Sequence, residues 1–503
     1  MPKKLKTTIL HVCRMISLLL LLGALLAAQT QSAPNKISPP PSINQGTGPP
    51  GSGNQKSDIG DAVGTKISPK EAEQLFRDID EILKFASKDT NLPIKHEVKR
   101  KLTTRDEVVA YLEKTMAEDN DAQRLRRSES VLKKFGLLPP DFNLQDFLVK
   151  LLREQVAGYY DPKTETVNLL DWIGPEQQRP VMAHELTHAL QDQSFGLEKW
   201  MKAGDVNLDE KKNLTPEDLE KDELSEARQA VVEGQAMIVL VDYMLAPTGQ
   251  SLLSSPQLAN AMKEGMLVGT DDSPAFQNAP LFLKEALTFP YRYGIDFEAE
   301  LLRSGGKDKA FAGALGDPPH STRQIMEPKT YLSHEQLQPM RLPDFSEDFK
   351  NYDRFDVGAM GEFDVAILVD QYAGPDVSRD IYPHWRGGYY YAGRPKGDAS
   401  APLALLYVSR WSNAESAASF AAIYAKALAK RYNYIHQTED ASRALDLQNV
   451  ETLTGSHTWL TEQGPVVITV QNDTALITES LDQPTTDRLE RELLGLKAAA
   501  VNR

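Results

Sequence analysis

The segment His184-Glu185-Leu186-Thr187-His188 sets two imidazoles four residues apart, with a carboxylate beside the first. On a helix this spacing stacks the rings on one face, a turn apart, so both can reach a single cation. Neutral imidazole suits zinc in a tetrahedral site. Glu185 is rotated one position away from His184. It is poorly aimed at the same ion but can reach a water held by it. Zinc lowers the pKa of such a water, and Glu185 is expected to take its proton as general base. Because His and Glu are rare, chance occurrence of the five-residue pattern in a chain of this length is on the order of one per cent. The chemistry implied is hydrolysis, with Zn2+ as cofactor.

A third protein ligand is required. The longer pattern with Gly and His after the second histidine is absent, because Gln191 and Ser194 stand at those positions. The only cysteine, Cys13, precedes an apolar N-terminal run, which leaves no thiol for zinc, for a disulfide or for nucleophilic catalysis. A carboxylate from another helix is the natural choice. Glu233, 45 residues after His188 in Val231-Val232-Glu233-Gly234-Gln235-Ala236, is the best candidate. A charge in so apolar a stretch is costly unless paired or metal-bound. Gly234 is expected to let this helix approach the metal helix closely. Glu226, two turns earlier on the same face, is the main competitor; Asp222 and Glu223 lie in a strongly charged turn. Attack on a carbonyl also needs a donor for the developing oxyanion. Tyr293, in Pro290-Tyr291-Arg292-Tyr293-Gly294, and His320, in Pro318-Pro319-His320-Ser321-Thr322-Arg323, are the alternatives.

The pattern predicts that the metal helix runs from about Pro180 to Gln193, with Gly196 as its stop. Thr215-Pro216-Glu217-Asp218 caps a long helix to about Leu245, whose buried stripe includes Ala227, Ala230, Val231, Met237 and Val241. Upstream, Ser68-Pro69-Lys70-Glu71 and Thr104-Arg105-Asp106-Glu107 are capping boxes, and Leu75, Ile79, Ile82 and Leu83 repeat at helical spacing. Further helices are expected over 121–135 and 144–156. Around Asp161-Pro162-Lys163-Thr164, the alternation in 158–170 predicts a hairpin or edge strand. Residues 335–352 are polar and contain Pro, a plausible boundary. Beyond it the texture changes. Strands are expected at 403–409, 457–460, 466–470 and 474–478, with a helix capped by Ser412-Asn413-Ala414-Glu415 and a last helix over 485–499. His384-Trp385-Arg386-Gly387-Gly388-Tyr389-Tyr390-Tyr391 fits a strand with aromatic packing better than a recognition surface. The fold class is therefore α+β, with a separate α+β domain over 353–503.

At 503 residues the chain is long enough for two or three domains, and 41% apolar residues fit a globular protein. Lys3, Lys4, Lys6 and Arg14 precede a 14-residue apolar run, Met15 to Ala28, the form of an export signal or an uncleaved anchor over 1–33. Residues 34–66 are rich in Pro, Gly and Ser and are expected to be a flexible tether. The net charge is -15, or -19 without the four basic residues of the N-terminal segment. That argues against nucleic acid as a partner, since nucleic acid needs Lys and Arg to replace counterions.

His184-Glu185-x-x-His188 followed by Glu233-Gly234-x-Ala236 resembles the gluzincin clan of zinc metallopeptidases, and a set of exported bacterial proteins that carry such a motif. The resemblance covers roughly 140–335. It implies a zincin-like metallopeptidase domain over 67–335, His184, His188 and Glu233 as metal ligands, Glu185 as base, and a peptide or protein as substrate. Zincins also place an edge strand before the metal helix, where 158–170 falls. The Asn-Glu-x-x-x-Asp segment of thermolysin-like members is not present at Glu233. The competing expectations are an exported binding protein with a structural or vestigial zinc, and a membrane-anchored scaffold without metal if the N-terminal segment is retained.

Overall fold

Ser68 and Glu71 cap each other's backbone. Ser68 Oγ accepts from Glu71 N at 3.3 Å, and Glu71 Oε2 accepts from Ser68 N at 2.6 Å. Pro69 takes the first helical position, where its missing N–H costs no bond. The helix that follows, α1 (Pro69–Thr90), buries Leu75, Ile79, Ile82 and Leu83 as the spacing predicts. The computed structural model describes residues 66–108, 110, 119–155, 158–203, 208, 213–255, 257, 261, 273–438, 445–447 and 449–495. The expected export signal or anchor, nearly all of the expected tether and residues 496–499 of the expected last helix lie outside these. The Thr104/Glu107 capping box is formed, with bonds of 2.9 and 3.3 Å. Most of the helix expected to follow it lies outside the described residues.

Strand β1 (Lys99–Thr103) carries three basic residues and no alternation strong enough to announce it. It forms by parallel pairing with a later strand. Helices α2 (Asp119–Lys134) and α3 (Leu144–Gln155) agree with expectation, and Gly136 ends the first region at φ 72°. Strands β2 (Tyr159–Asp161) and β3 (Thr166–Leu170) make the expected hairpin around the Asp161-Pro162 turn. The order β1-β3-β2 leaves β2 at the sheet edge among the described residues.

The helix that carries His184 and His188, α4, spans Pro175–Phe195. It therefore starts five residues before the expected Pro180. Pro175 occupies the first helical position and Pro180 falls in the second turn, where it forfeits one bond to a preceding carbonyl. Gly196, at φ 66°, stops the helix by donating its N–H to Asp192 O. Helix α5 (Pro216–Leu245) opens with the Thr215/Asp218 capping box and buries the expected stripe. It is long and apolar enough to cross a membrane. Here it is the central helix of the protein core. Helix α6 (Leu281–Asp308) lies along it, breaks at Gly306 (φ 68°, ψ -167°) and passes into a π-helical turn over Lys309–Gly313.

Gly234 does permit a close approach, but to a different helix from the one expected. A Cβ on Gly234 would lie 2.4 Å from the Gly294 carbonyl oxygen, and one on Gly294 would lie 2.4 Å from the Ala230 oxygen. The two glycines let α5 and α6 touch backbone to backbone.

The remainder is a seven-stranded antiparallel sheet with three long helices. In chain order these are β4 (Tyr352–Ala359), α7 (Glu362–Ala373), β5 (Trp385–Pro395), β6 (Ala404–Trp411), α8 (Ala414–Arg431), β7 (Ile435–Gln437), β8 (Gly455–Thr461), β9 (Gly464–Gln471), β10 (Thr474–Glu479) and α9 (Gln483–Leu494). The sheet order is β4-β5-β6-β10-β9-β8-β7. Asn413 caps α8 by accepting from Ser416 N at 2.8 Å. Tyr389, Tyr390 and Tyr391 of β5 are buried, which fits aromatic packing in a strand. The fold is thus α+β.

Buried contacts join the helical and sheet parts. The Phe135 ring meets Tyr390 and Tyr407 edge-on at 5.8 and 5.6 Å. Lys134 pairs with Glu479 at 3.5 Å, and Arg431 pairs with the same carboxylate at 2.7 Å. Arg323 reaches Glu335 at 2.8 Å and Glu362 at 2.7 Å. Buried charges of this kind persist because breaking one partner away strands the other.

Candidate metal centre

Helices α4 and α5 cross so that His184, His188 and Glu233 converge. His188 Nε2 lies 3.0 Å from His184 Nε2, Glu233 Oε2 lies 3.2 Å from His184 Nε2, and it lies 3.4 Å from His188 Nε2. The two rings stand at 90° to each other. All three residues are at most 5% exposed. Ligands of a tetrahedral zinc, bound at 2.0–2.1 Å, stand about 3.3 Å apart. The three observed separations bracket that value, so the donor set fits one face of such a coordination sphere. Three buried polar atoms this close need a shared proton or cation between them.

The charge states fit the same purpose. Burial disfavours a charged His184 and holds its pKa below the ordinary value. Burial pulls His188 the same way, but the Glu233 carboxylate outweighs it and the pKa rises. Burial would raise Glu233, yet His188 and His184 hold it well below the usual carboxylate range. A cation entering the site would displace a proton shared among these groups.

Glu185 stands next to this triangle but is not the third corner. Its Oε1 is 4.0 Å from His184 Nε2, farther than Glu233 Oε2. Its Oε2 accepts the backbone N–H of Tyr160 at 2.7 Å. His184, Glu185 and His188 do fall within reach of one ion as a group. Glu233 is thus the carboxylate nearer to both rings, and Glu185 lies beside them with one oxygen engaged. Tyr160 belongs to edge strand β2, and its hydroxyl donates to Asp192 of α4 at 2.9 Å. The outer edge of β2 is thereby docked on α4.

The other expected residues are placed elsewhere. Glu226 is half-buried and groups with Glu223 and Asp364, not with the histidines. Glu223 Oε2 accepts from Thr322 N and Oγ1 at 3.1 and 2.7 Å, and Asp222 accepts from Ala359 N at 3.0 Å. Tyr293 packs against Phe289 and Phe363, with centroids 5.3 and 6.4 Å away. Of the aromatics in that segment, Tyr291 is the one that faces the centre, its ring stacked 6.4 Å from that of His184. His320 is exposed and lines a cavity of about 270 Å³ together with Glu220, Glu223, Arg323 and Trp385. That cavity does not include His184, His188 or Glu233.

Sequence reasoning noted Gln191 only as standing where the longer pattern has Gly, and missed what it does. It sits three residues after His188, and its Oε1 is 2.9 Å from His188 Nδ1. The i, i+3 spacing was the available signal. Comparison with protein-family models, with curated proteins and with solved structures found no match.

Proposed function

We propose that the chain is a zinc-dependent peptidase of the gluzincin type, with His184, His188 and Glu233 holding the metal and Glu185 as general base. The observation that carries this reading is the 3.0–3.4 Å triangle of Nε2, Nε2 and Oε2 atoms, with a non-ligand carboxylate beside it. Zinc in such a site polarises a carbonyl and lowers the pKa of a water. The chain's own residues do the rest. The Tyr160 N–H holds Glu185 Oε2, which fixes the carboxylate and leaves Oε1 turned toward the histidines to accept a proton. Strand β2, whose outer edge is taken up by α4, serves to position that carboxylate. Tyr291, over His184, replaces Tyr293 and His320 as the aromatic best placed near a developing oxyanion. Export of the chain, by the N-terminal signal, belongs to the same proposal.

The decisive comparison is Glu185→Gln against wild type. Zinc content should stay near one per chain while cleavage of a peptide library is lost. Equal cleavage by both forms would remove Glu185 from the chemistry. A second reading, a structural zinc in a non-catalytic exported protein, draws support from burial: His184, Glu185, His188 and Glu233 are 0–5% exposed. It expects one zinc and no cleavage by wild type.

A further inference from the structure

Behind His188 runs a chain of buried side-chain amides whose orientations can be deduced without seeing a hydrogen. Gln235 Nε2 lies 2.8 Å from Ala310 O and 3.1 Å from Phe311 O. Backbone carbonyls only accept, so that atom must be the NH₂ and the other end of the Gln235 amide must be the oxygen. Gln191 Nε2 lies 3.1 Å from Val232 O and 2.8 Å from Gln235 Oε1, again two acceptors, so the Gln191 amide is fixed in turn. Its remaining atom, Oε1, is an acceptor 2.9 Å from His188 Nδ1. A hydrogen bond there requires the proton to be on Nδ1. The lone pair of neutral His188 is then on Nε2, the atom that faces His184 and Glu233.

We infer that Gln191 and Gln235 are positioning residues, a buried relay that locks His188 in its Nδ1–H tautomer and holds its Nε2 ready as a metal ligand. The inference rests on the metal reading of the site. Its anchor is the π-helical turn over Lys309–Gly313, which presents two successive carbonyls to one amide. Such turns recur where a helix is bent to a local task. The relay serves one histidine alone. His184 Nδ1 is buried and has no hydrogen-bond partner among the described residues.

The test combines zinc affinity, by chelator competition, with ¹⁵N NMR of histidine-labelled full-length protein, which reads the protonated nitrogen directly. In the zinc-loaded wild type, His188 should show Nδ1 protonated and Nε2 bound. Gln191→Leu removes the acceptor. Zinc affinity should fall about 10- to 100-fold, the usual cost of losing a group that orients a metal-bound histidine. One equivalent should still load at saturating metal. Gln191→Glu keeps an acceptor and should keep the Nδ1–H signature. Gln235→Met touches neither the histidine nor the metal, yet should weaken zinc binding by freeing the Gln191 amide. Wild-type affinity in both Gln191→Leu and Gln235→Met, or an unprotonated Nδ1 in the wild type, overturns the relay. A wild-type chain that takes up no zinc would instead overturn the metal reading. The relay is then judged in metal-free protein, where the His188 Nδ1–H signal must move in Gln191→Leu; an unmoved signal refutes it.

Discussion

Replacing Gly234 by alanine should both destabilise the protein and loosen its grip on zinc. The new Cβ would stand 2.4 Å from the Gly294 oxygen, 2.5 Å from its carbonyl carbon and 2.8 Å from its Cα. Comfortable contact begins near 3.5 Å, so α5 and α6 must part locally by about 1 Å. Overpacking that neighbouring side chains can absorb costs about 1–3 kcal/mol, and a backbone obstacle belongs at or above the top of that range. Alanine's better helix propensity returns about 1 kcal/mol. The net expectation is a loss of about 2–3 kcal/mol, read from urea unfolding of the full chain. Gly316→Ala, where nothing lies within 4 Å of the new Cβ, is the control and should change stability by under about 0.5 kcal/mol. Glu233 adjoins Gly234, and a shift approaching 1 Å exceeds the roughly 0.2 Å tolerance of coordination distances. Zinc affinity should therefore fall as well. If Gly234→Ala unfolds within about 0.5 kcal/mol of wild type, the helices do not meet as described, and the reasoning fails.

Chelation should lower the unfolding temperature of wild type. With free zinc at a hundred times its Kd the bound ion adds about 2.7 kcal/mol, and a melting curve indifferent to chelator would mean that no zinc is held. A pH effect is expected far from the metal. Burial would raise the Glu479 pKa, but Arg431 and Lys134 overcome it and pull it down to about 2. A depressed folded-state pKa gives stability that is complete above the unfolded value, near 4.5, and is lost as pH falls toward 2. At 1.36 kcal/mol per unit the swing is on the order of 3 kcal/mol. Glu479→Gln should flatten acid unfolding in that window and, by stranding two buried cations, cost about 3–5 kcal/mol at neutral pH; unchanged acid unfolding in this variant would count against the cluster.

Local signals carried most of what the sequence revealed. The Ser68/Glu71 and Thr215/Asp218 boxes announced two helix starts because the partners lie three residues apart. The His184/His188 spacing announced a shared face for the same reason. Glu233 was legible because a charge among Val231, Val232 and Ala236 needs a partner. What failed depended on distant chain. Strand β1 exists because β3 offers it a parallel ladder, and its own residues, Lys99-Arg100-Lys101, argue for solvent. The start of α4 was misplaced because two prolines could each open a helix. The partner of Gly234 was misassigned because small residues announce a close approach and not its direction. Strand β4 and helix α7 gave no signal strong enough to separate them from the polar boundary before them. The α+β class was readable from the change of pattern near residue 350; the ring stack of Tyr291 on His184 was not, since Tyr293 two residues away has the same chemistry.

The ammonium of Lys134 bonds the hydroxyl of Ser480, 346 residues further along. During synthesis this lysine emerges long before β10, which brings its counter-charge. Until the last strand arrives, Lys134 lacks the carboxylate of Glu479 that pairs with it. Ends so far apart must meet late, and loop closure over such a span is slow. The end of α2 therefore gains its buried ion pair only when the C-terminal strand is in place.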